Sequence, residues 1–329
     1  MASQALFQAL SKYQQYLLPK YSNFPLGQYV TLFIVRKTQS ETIFRTEGSG
    51  SSEGLVKEEV FAGLEHLERI RRVVISKRKQ TAVERRTGRE VLRAHDLLKK
   101  DSKDNICALN TNAPCGQCID CKLYGYAVGT GGAQKSRVIT DDAFSIGPVG
   151  QVTGSHTFNA TFDTGTMTNP LTKKPSSSIN TDEYVRPETH FLDMETLKDV
   201  TIGELQYVIG VVLRSQRYGA ITSRLGKVRN TLTALVFSDT ELFSNLELTQ
   251  AVYDRLIQGK EELDFPLAEK DVLLAVEEST NSLLNRVASR TPVVVRGAAL
   301  KPIIDETINL YRESDTVQSF LERIENDYR

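Results

Sequence analysis

All four cysteines of this 329-residue chain lie within one stretch of fifteen residues, as Cys107, Cys115, Cys118 and Cys121. Four thiolates complete the tetrahedral shell of one metal ion, and two-residue gaps let neighbouring thiolates point at the same ion. Pro114 and Gly116 provide the turn that such a loop needs. We therefore predict a structural Zn²⁺ site, which fixes the shape of an otherwise irregular segment. Because four cysteines leave no open coordination position, we expect no metal catalysis there.

Three other states of these cysteines compete with zinc. Reduced thiols without a ligand would be scattered along a chain, whereas these are clustered. An iron–sulfur cluster stays open, although the close cysteine run of ferredoxins continues to a further Cys-Pro, and Cys121 is followed by Lys-Leu-Tyr. A disulfide is not expected, because no secretory signal opens the chain and disulfides are rare in the reducing cytosol.

The charge of the chain is unevenly distributed. Its net charge is zero, but residues 239–329 contain 18 acidic and 10 basic residues, so residues 1–238 carry a charge of +8. The basic part can face phosphate while the acidic part faces water or another protein. No apolar run approaches the roughly eighteen residues of a membrane span, so we expect a cytoplasmic protein without membrane contact.

The hydrophobic patterns predict an α+β fold, and the charge split divides it into two regions, 1–238 and 239–329. Strands are predicted at 28–35, 70–76, 137–139 and 227–237. Helices are predicted at 3–18, 81–99, 202–218 and, in the acidic region, about 247–258, 270–286 and 301–326. The helix after Thr201 has a capping box with Glu204, and we expect Gly219 to end it. Residues 46–54 predict a loop and residues 150–190 an extended arm, because both lack periodicity.

Two segments concentrate basic residues. Residues 69–93 hold ten Lys or Arg and two acids, and residues 206–238 hold no acid and five bases, namely Arg214, Arg217, Arg224, Lys227 and Arg229. Helix-dipole pairing accounts for the first two of the five. The other three lie in or beside a glycine-flanked loop with hydroxyl side chains, and such a loop can bind phosphate groups. We therefore expect a nucleic-acid surface that binds without regard to sequence.

Motifs for catalysis and nucleotide binding are absent from the sequence. Residues 129–136, GTGGAQKS, fail the P-loop pattern because Gln134 replaces the glycine before Lys-Ser. The four histidines are not spaced as metal ligands or triad members, and Asp141 and Asp142 would face opposite ways on a strand. We therefore predict no nucleotide cofactor and no enzymatic activity.

One segment resembles a known family. Residues 121–143, CKLYGYAVGTGGAQKSRVITDDA, resemble the "LFG…SRv.f.DA" segment of the RAMP superfamily of CRISPR proteins. The helix, loop and strand at 201–237 lie where those proteins carry a glycine-containing loop. With a four-cysteine insertion, the pattern is most similar to the backbone subunit of the type I-D Cascade complex, the Csc-subtype member of the Cas-seven group. The similarity covers most of residues 28–238.

This resemblance implies a fold and a role. It implies an RRM-like (ferredoxin-like) palm, a zinc insertion at about 101–125, a thumb-like arm at about 150–190 and C-terminal helices at 239–329 that pack on the palm. Copies of the subunit would form a helical filament along crRNA, support pairing with a DNA or RNA target strand, and meet a Cas-five-like cap, a large subunit and small subunits. The implied RNA-binding residues are Arg36, Lys77, Arg78, Lys79, Lys135, Ser136, Arg137, Arg214, Arg217, Arg224, Lys227 and Arg229. Thr166, Met167 and Leu171 are candidates for wedging between bases.

The sequence departs from related proteins in two respects. It has no aromatic RNP motif and no tryptophan, which disfavours base stacking on the sheet. Related type III subunits cut RNA with an Asp in an early loop, whereas residues 37–54 offer only Glu41, Glu47 and Glu53, so we predict no nuclease activity. The alternatives are a metal-dependent nuclease or iron–sulfur protein acting on nucleic acid, and a zinc-stabilised scaffold that binds only proteins.

Overall fold

The computed structural model describes residues 8–45, 54–99, 105–111, 113–128, 132–159, 161–176 and 179–328. The strands are β1 (Tyr29–Thr38), β2 (Lys57–Phe61), β3 (Arg69–Ile75), β4 (Tyr126–Val128), β5 (Gly132–Gln134), β6 (Val138–Thr140), β7 (Ala143–Ser145), β8 (Thr153–Asn159), β9 (Ile179–Val185), β10 (His190–Lys198), β11 (Val228–Ser238) and β12 (Val293–Arg296). The helices are α1 (Gln8–Ser11), α2 (Lys77–Ala94), α3 (Ile119–Tyr124), α4 (Val149–Val152), α5 (Ile202–Arg214), α6 (Asn245–Leu256), α7 (Glu269–Leu284), α8 (Lys301–Leu310) and α9 (Ser314–Asn326).

The main sheet is antiparallel and has β1 near its centre. Its strand order is β12-β11-β1-β10-β7-β3-β2, and β6 also pairs with β10. Two hairpins, β4–β5 and β8–β9, stand apart from this sheet. The fold is therefore mixed α/β with antiparallel sheets, which agrees with the α+β class predicted from the sequence.

Alternate side chains of β1 pack against helices on opposite faces of the sheet. Val30, Leu32 and Ile34 pack in a core with residues of α2, α5, α8 and α9. Phe33 and Val35 pack in a second core with α6 and α7. Successive side chains of a strand point to opposite faces, so an apolar run without alternation indicates a strand buried on both sides.

Helix α5 begins as predicted. The Thr201 hydroxyl accepts a hydrogen bond from the Glu204 N–H, and the Glu204 carboxylate accepts one from the Thr201 N–H. The predicted end at Gly219 is wrong, because the helix ends at Arg214 and Ser215 is its C-cap. Gly219 is needed instead in the following loop, where it has φ +87° and a Cβ would lie 2.5 Å from the Ile43 carbonyl oxygen.

Other parts of the chain also differ from the sequence prediction. Of the first predicted helix, residues 8–18 form α1 and a short 3₁₀ turn (Gln14–Tyr16), and residues 3–7 lie outside the described residues. The predicted helix at 301–326 is two helices, α8 and α9. The acidic region contributes a strand, β12, which pairs with β11 and which the sequence patterns did not reveal. The predicted arm contains the β8–β9 hairpin. Most of the predicted 46–54 loop lies outside the described residues.

A buried guanidinium lies between β1, β10 and α2. The Asp193 Oδ2 atom accepts from Arg36 Nε (2.9 Å) and Nη2 (2.6 Å). Arg36 Nη2 also lies 2.9 Å from Glu84 Oε1 and 2.8 Å from Glu195 Oε1, and all four side chains are fully buried. One guanidinium cannot neutralise three carboxylates in a low-dielectric site. Burial, with the Glu84 carboxyl as the next cause, raises the pKa of Glu195 well above its usual value, so we assign to Glu195 the proton that this excess of carboxylates requires.

We predict opposite outcomes for two isosteric amide substitutions in this cluster. Glu195→Gln imitates the protonated acid and should change the free energy of unfolding by less than about 1.5 kcal/mol. Asp193→Asn removes the main charge partner of Arg36 and should cost about 3–5 kcal/mol. A carboxyl whose pKa is raised in the folded state stabilises the protein at low pH, and this contribution is lost as the pH rises from about 4.3 through the raised pKa. The free energy of unfolding of Glu195→Gln should therefore increase relative to that of the wild type as the pH rises. Urea unfolding of the three proteins at several pH values measures both effects, and equal losses for both variants would contradict the assigned proton.

Candidate functional site

The four cysteines form one compact group. Their Sγ atoms all lie within 4.8 Å of one another, with Cys107 and Cys121 3.7 Å apart and Cys115 and Cys121 3.9 Å apart. A tetrahedral site with metal–sulfur bonds of about 2.3 Å has sulfur–sulfur edges of about 3.8 Å. The donor atoms therefore fit one tetrahedral metal ion.

The local backbone turns around the thiols. The Cys107 Sγ atom lies 3.4 Å from the Cys115 N–H nitrogen, and the Cys115 Sγ atom lies 3.3 Å from that of Cys118. Gly116 has φ +67°, and a Cβ there would lie 2.7 Å from the Tyr126 hydroxyl oxygen. Helix α3 starts directly after Cys118, contacts α2 and packs into the first core. The four-cysteine loop is therefore continuous with the core of the protein.

Charged residues of α2 lie behind the thiols. Asp120 is buried and accepts from Arg85 Nε (2.9 Å) and from Arg89 Nη1 (2.8 Å). Arg89 also contacts the Cys107 carbonyl oxygen and lies 3.8 Å from the Cys107 Sγ atom. A guanidinium here offsets the negative charge of four thiolates and fixes their orientation. The sequence prediction missed this layer, although the i,i+4 spacing of Arg85 and Arg89 was a possible signal.

The thiols of the group titrate differently from one another without a cation. Hydrogen bonding with Cys115 lowers the pKa of the Cys107 thiol, whereas hydrogen bonding with Cys107 raises the pKa of the Cys118 thiol. Hydrogen bonding with Cys107 acts to raise the pKa of Cys115, but hydrogen bonding with Cys118 and Cys121 together prevails and lowers it to about 6. A bound divalent cation stabilises all four thiolates together.

Two predicted RNA contacts are wrong for the chain as folded. Arg36 is fully buried in the carboxylate cluster described above. Arg137 is 8% exposed, and its Nη1 atom donates to Glu204 Oε2 and to the Asp199 carbonyl oxygen, both at 2.9 Å. Both guanidiniums hold the interior together and are withdrawn from any RNA surface. The sequence could not separate them from exposed arginines, because their partners lie far away along the chain.

The other predicted contacts fall into three groups. At the start of α2, Lys77 and Arg78 are exposed and Lys79 is half-buried. Before β6, Lys135 is exposed and Ser136 is half-buried. The third group, which we call the basic loop, spans residues 214–229 and contains Arg214, Arg217, Arg224, Lys227 and Arg229.

Most cations of the basic loop have no acidic partner in the part of the chain that the structure describes. Arg217 Nη1 donates to the Leu225 carbonyl oxygen (3.0 Å), Lys227 donates to a Gln216 side chain, and Arg214 lies 5.2 Å from the ring centre of Tyr311. Arg224 is exposed, and no described carboxylate pairs with it. Arg229 differs, because it pairs with Glu269. The loop therefore keeps positive charge available to a ligand.

The basic loop touches the base of the hairpin arm through the segment after β1. The Gly226 N–H donates to the Glu41 carbonyl oxygen (2.8 Å), and Thr42 forms a β-bridge with Val185 at the end of β9. His156 of β8 lies 2.7 Å from Glu41 Oε1. One continuous set of contacts thus joins the arm, the segment 39–45 and the basic loop.

The arm tip holds the three wedge candidates. Leu171 is 89% exposed, Thr166 is exposed, and Met167 is half-buried. Thr168 forms a β-bridge with Pro175, which holds the tip as a narrow loop. An exposed leucine at the end of a two-stranded hairpin is able to contact another molecule.

No second metal cluster of three or more His, Cys, Asp or Glu residues occurs in the described ranges. Asp142 accepts from the first N–H of α2 (2.8 Å), and His66 contacts Asp254 (2.7 Å), so both have structural partners. The glycine-rich residues 129–131 and the early-loop acids Glu47 and Glu53 lie outside the described residues. Within the described helices, none is both long and apolar enough to cross a membrane.

The comparisons with known proteins agree with this fold. A family profile described as Csc2 Crispr matches residues 16–321. The crystal structure of Thermofilum pendens Csc2 is similar with a TM-score of 0.60 and 18% identity, and the match covers 97% of this chain and 96% of that one. A chain of a "CRISPR RNA-guided surveillance complex, pre-nicking" is similar with a TM-score of 0.50 and 10% identity over 82% and 91% of the two chains. No curated protein sequence matches significantly. Because the family profile spans nearly its whole length, the chain belongs to the Csc2 family of CRISPR proteins.

Proposed function

We propose that this chain is a non-catalytic backbone subunit that binds crRNA and oligomerises along it in a type I-D Cascade surveillance complex. The observation that carries the proposal is the basic loop, whose cations mostly lack acidic partners and which adjoins the base of the arm. The family assignment supports it, and so does the similar fold of a chain from an RNA-guided surveillance complex.

The central strands and two helices form the proposed RRM-like palm. Along the chain they follow the order β1, α2, β6 and β7, β10, α5, β11, which is a strand–helix–strand–strand–helix–strand sequence. In the sheet, β1 lies between β11 and β10, and β10 also pairs with β6 and β7. In this proposal the zinc segment is an insertion between α2 and β6, and the region 239–329 packs on the palm.

The palm would bind the RNA backbone and leave sequence recognition to base pairing. The proposed contacts are Lys77, Arg78, Lys79, Lys135, Ser136, Arg214, Arg217, Arg224 and Lys227. Guanidinium and ammonium groups give affinity that depends on salt and not on sequence. Thr166, Met167 and Leu171 of the arm are the proposed wedge between guide bases. A DNA or RNA target strand would pair with the guide bases left exposed.

The proposed partners are other copies of the chain, a Cas-five-like cap, a large subunit and small subunits, in the cytoplasm. The metal we propose for the four cysteines is Zn²⁺ in a structural role, because a closed four-sulfur shell holds zinc without an open position for a substrate. An iron–sulfur cluster is the competing occupant of the same donors.

The first prediction concerns the metal. Purified protein should be colourless and contain one zinc per chain, and Cys118→Ser should lose the metal because a closed shell needs all four ligands. The thermal midpoint should fall by roughly 2–4 °C for each kcal/mol of lost stability. Gln117→Ser, an exposed position in the same turn, is the control and should keep both metal and midpoint. Metal analysis, a visible spectrum and thermal melting give the readouts, and a brown protein with one iron–sulfur cluster would contradict zinc.

The second prediction concerns RNA. Arg224→Gln with Lys227→Gln should weaken binding of single-stranded RNA about tenfold at about 0.1 M salt, because two phosphate contacts are lost. The slope of log affinity against log salt should fall by about 1.4, and the loss should not depend on RNA sequence. Fluorescence anisotropy over a salt series measures both quantities.

The matched control removes the same charge elsewhere. Arg286→Gln with Arg312→Gln changes two exposed arginines of the acidic region and should leave affinity within about twofold, because their charges act only through screened distance. Equal losses for the two double variants would mean that overall charge, and not the basic loop, determines binding.

A further inference from the structure

Three nitrogen-bearing side chains form a row across neighbouring strands, on the sheet face that α6 and α7 cover. Arg229 of β11 is the register partner of Lys37 of β1, and Lys37 is the register partner of His190 of β10. Direct partners in antiparallel strands point to the same face, with Cβ atoms roughly 4.5–5.5 Å apart. The row therefore places a guanidinium, an ammonium and an imidazole side by side at one end of the sheet.

A carboxylate from the acidic region covers two members of this row. Glu269, the first residue of α7, accepts a hydrogen bond from Arg229 Nη2, and its Oε2 atom lies 3.4 Å from Lys37 Nζ. Lys37 also pairs with Glu188. Partial burial acts to raise the pKa of Glu269, but hydrogen bonding from Arg229 prevails and the pKa is lowered. Glu269 is therefore an ionised carboxylate at the positive end of a sixteen-residue helix.

The third member of the row has no partner. His190 is 2% exposed, and neither ring nitrogen has a hydrogen-bond partner among the described residues. Burial, and next the Lys37 ammonium, lower its pKa to about 4, so the ring is neutral and keeps one N–H donor at neutral pH. A buried N–H donor without an acceptor is unfavourable. Because the His190 donor lies beside the Lys37 ammonium, an anionic oxygen is a suitable acceptor for it.

The row remains reachable from solvent and adjoins the basic loop. The side chains of Arg229 and Glu269 are 43% and 30% exposed, so the ion pair lies at the surface. Lys227 precedes Arg229 by two residues, and its N–H donates to the Ser40 Oγ atom (2.9 Å) in the segment after β1. An RNA backbone that runs along the basic loop would therefore reach Glu269 next.

We propose that Arg229, Lys37 and His190 form a binding site for a phosphodiester of single-stranded RNA, and that Glu269 occupies this site in the free chain. The inference rests on the proposed function and deepens it, because it places one phosphate contact and identifies its competitor. RNA must displace the Glu269 carboxylate to reach Arg229 and Lys37. The Glu269 carboxylate also repels other polyanions that would bind only through long-range charge attraction.

The test compares two amide variants that remove one negative charge each. Glu269→Gln should tighten binding of labelled single-stranded RNA about three- to tenfold at low salt, because the carboxylate that pairs with both Arg229 and Lys37 no longer competes with phosphate. The slope of log affinity against log salt should become steeper by about 0.7–1.4. Glu262→Gln is the control, since Glu262 is exposed in the same region and pairs with no described cation, and it should change affinity by less than about twofold.

A double-mutant cycle with Arg229→Gln separates displacement from a simple change of charge. Arg229→Gln should have little effect in the wild type, where Glu269 already holds the guanidinium, and should cancel most of the gain in Glu269→Gln. Thermal melting checks that each variant folds. A loss of affinity from Arg229→Gln that is as large in the wild type as in Glu269→Gln would contradict displacement of the carboxylate.

The outcomes separate this inference from the proposed function. Wild-type affinity for RNA with no gain in Glu269→Gln, or an equal gain in Glu262→Gln, would overturn the Glu269 inference and leave the proposed function standing. Failure of every form to bind RNA would overturn both. RNA binding that appears only in Glu269→Gln supports the inference, since the carboxylate then blocks the site fully.

Discussion

The buried guanidinium of Arg36 connects the parts of the molecule on which every surface feature depends. It joins the central strand to Asp193 of β10 and to Glu84 of α2, and its Nη1 atom donates to the Tyr218 hydroxyl 2.7 Å away. Helix α2 in turn positions Arg89 behind the thiols, and Tyr218 anchors the start of the basic loop. One desolvated cation thus fixes the sheet, the four-cysteine segment and the basic loop relative to one another, which is why breaking its charge pairs is costly.

Basic residues in this chain have two separate physical roles. Arg36, Arg72 and Arg137 are buried, and their charges are satisfied by carboxylates or by backbone carbonyls such as those that Arg72 contacts. The exposed bases of the basic loop mostly lack such partners. Burial without pairing is unfavourable for a cation, so the unpaired ones remain at the surface where a polyanion can bind them. The net charge of zero therefore conceals a surface with unpaired positive charge.

The sequence predicts those features that depend on neighbouring residues. The cysteine spacing indicates a metal site, the Thr201–Glu204 capping box gives the start of α5, and β-branched runs give β1 and β11. Features that depend on distant partners are not predictable in this way. Arg36 and Arg224 look alike in sequence, and only the fold brings Asp193, 157 residues further along, to Arg36. For the same reason, β12 and the Arg229–Glu269 pair emerge only from the structure.

In the proposed function, copies of this chain bind side by side along RNA through an open basic surface. Native mass spectrometry of the purified protein with single-stranded RNAs of increasing length tests it most directly. The number of chains bound to one RNA should rise in whole steps as the RNA lengthens, and high salt should remove the bound chains. A single chain per RNA at every length, or steps that persist unchanged in high salt, would show that the chain does not assemble along RNA through this surface.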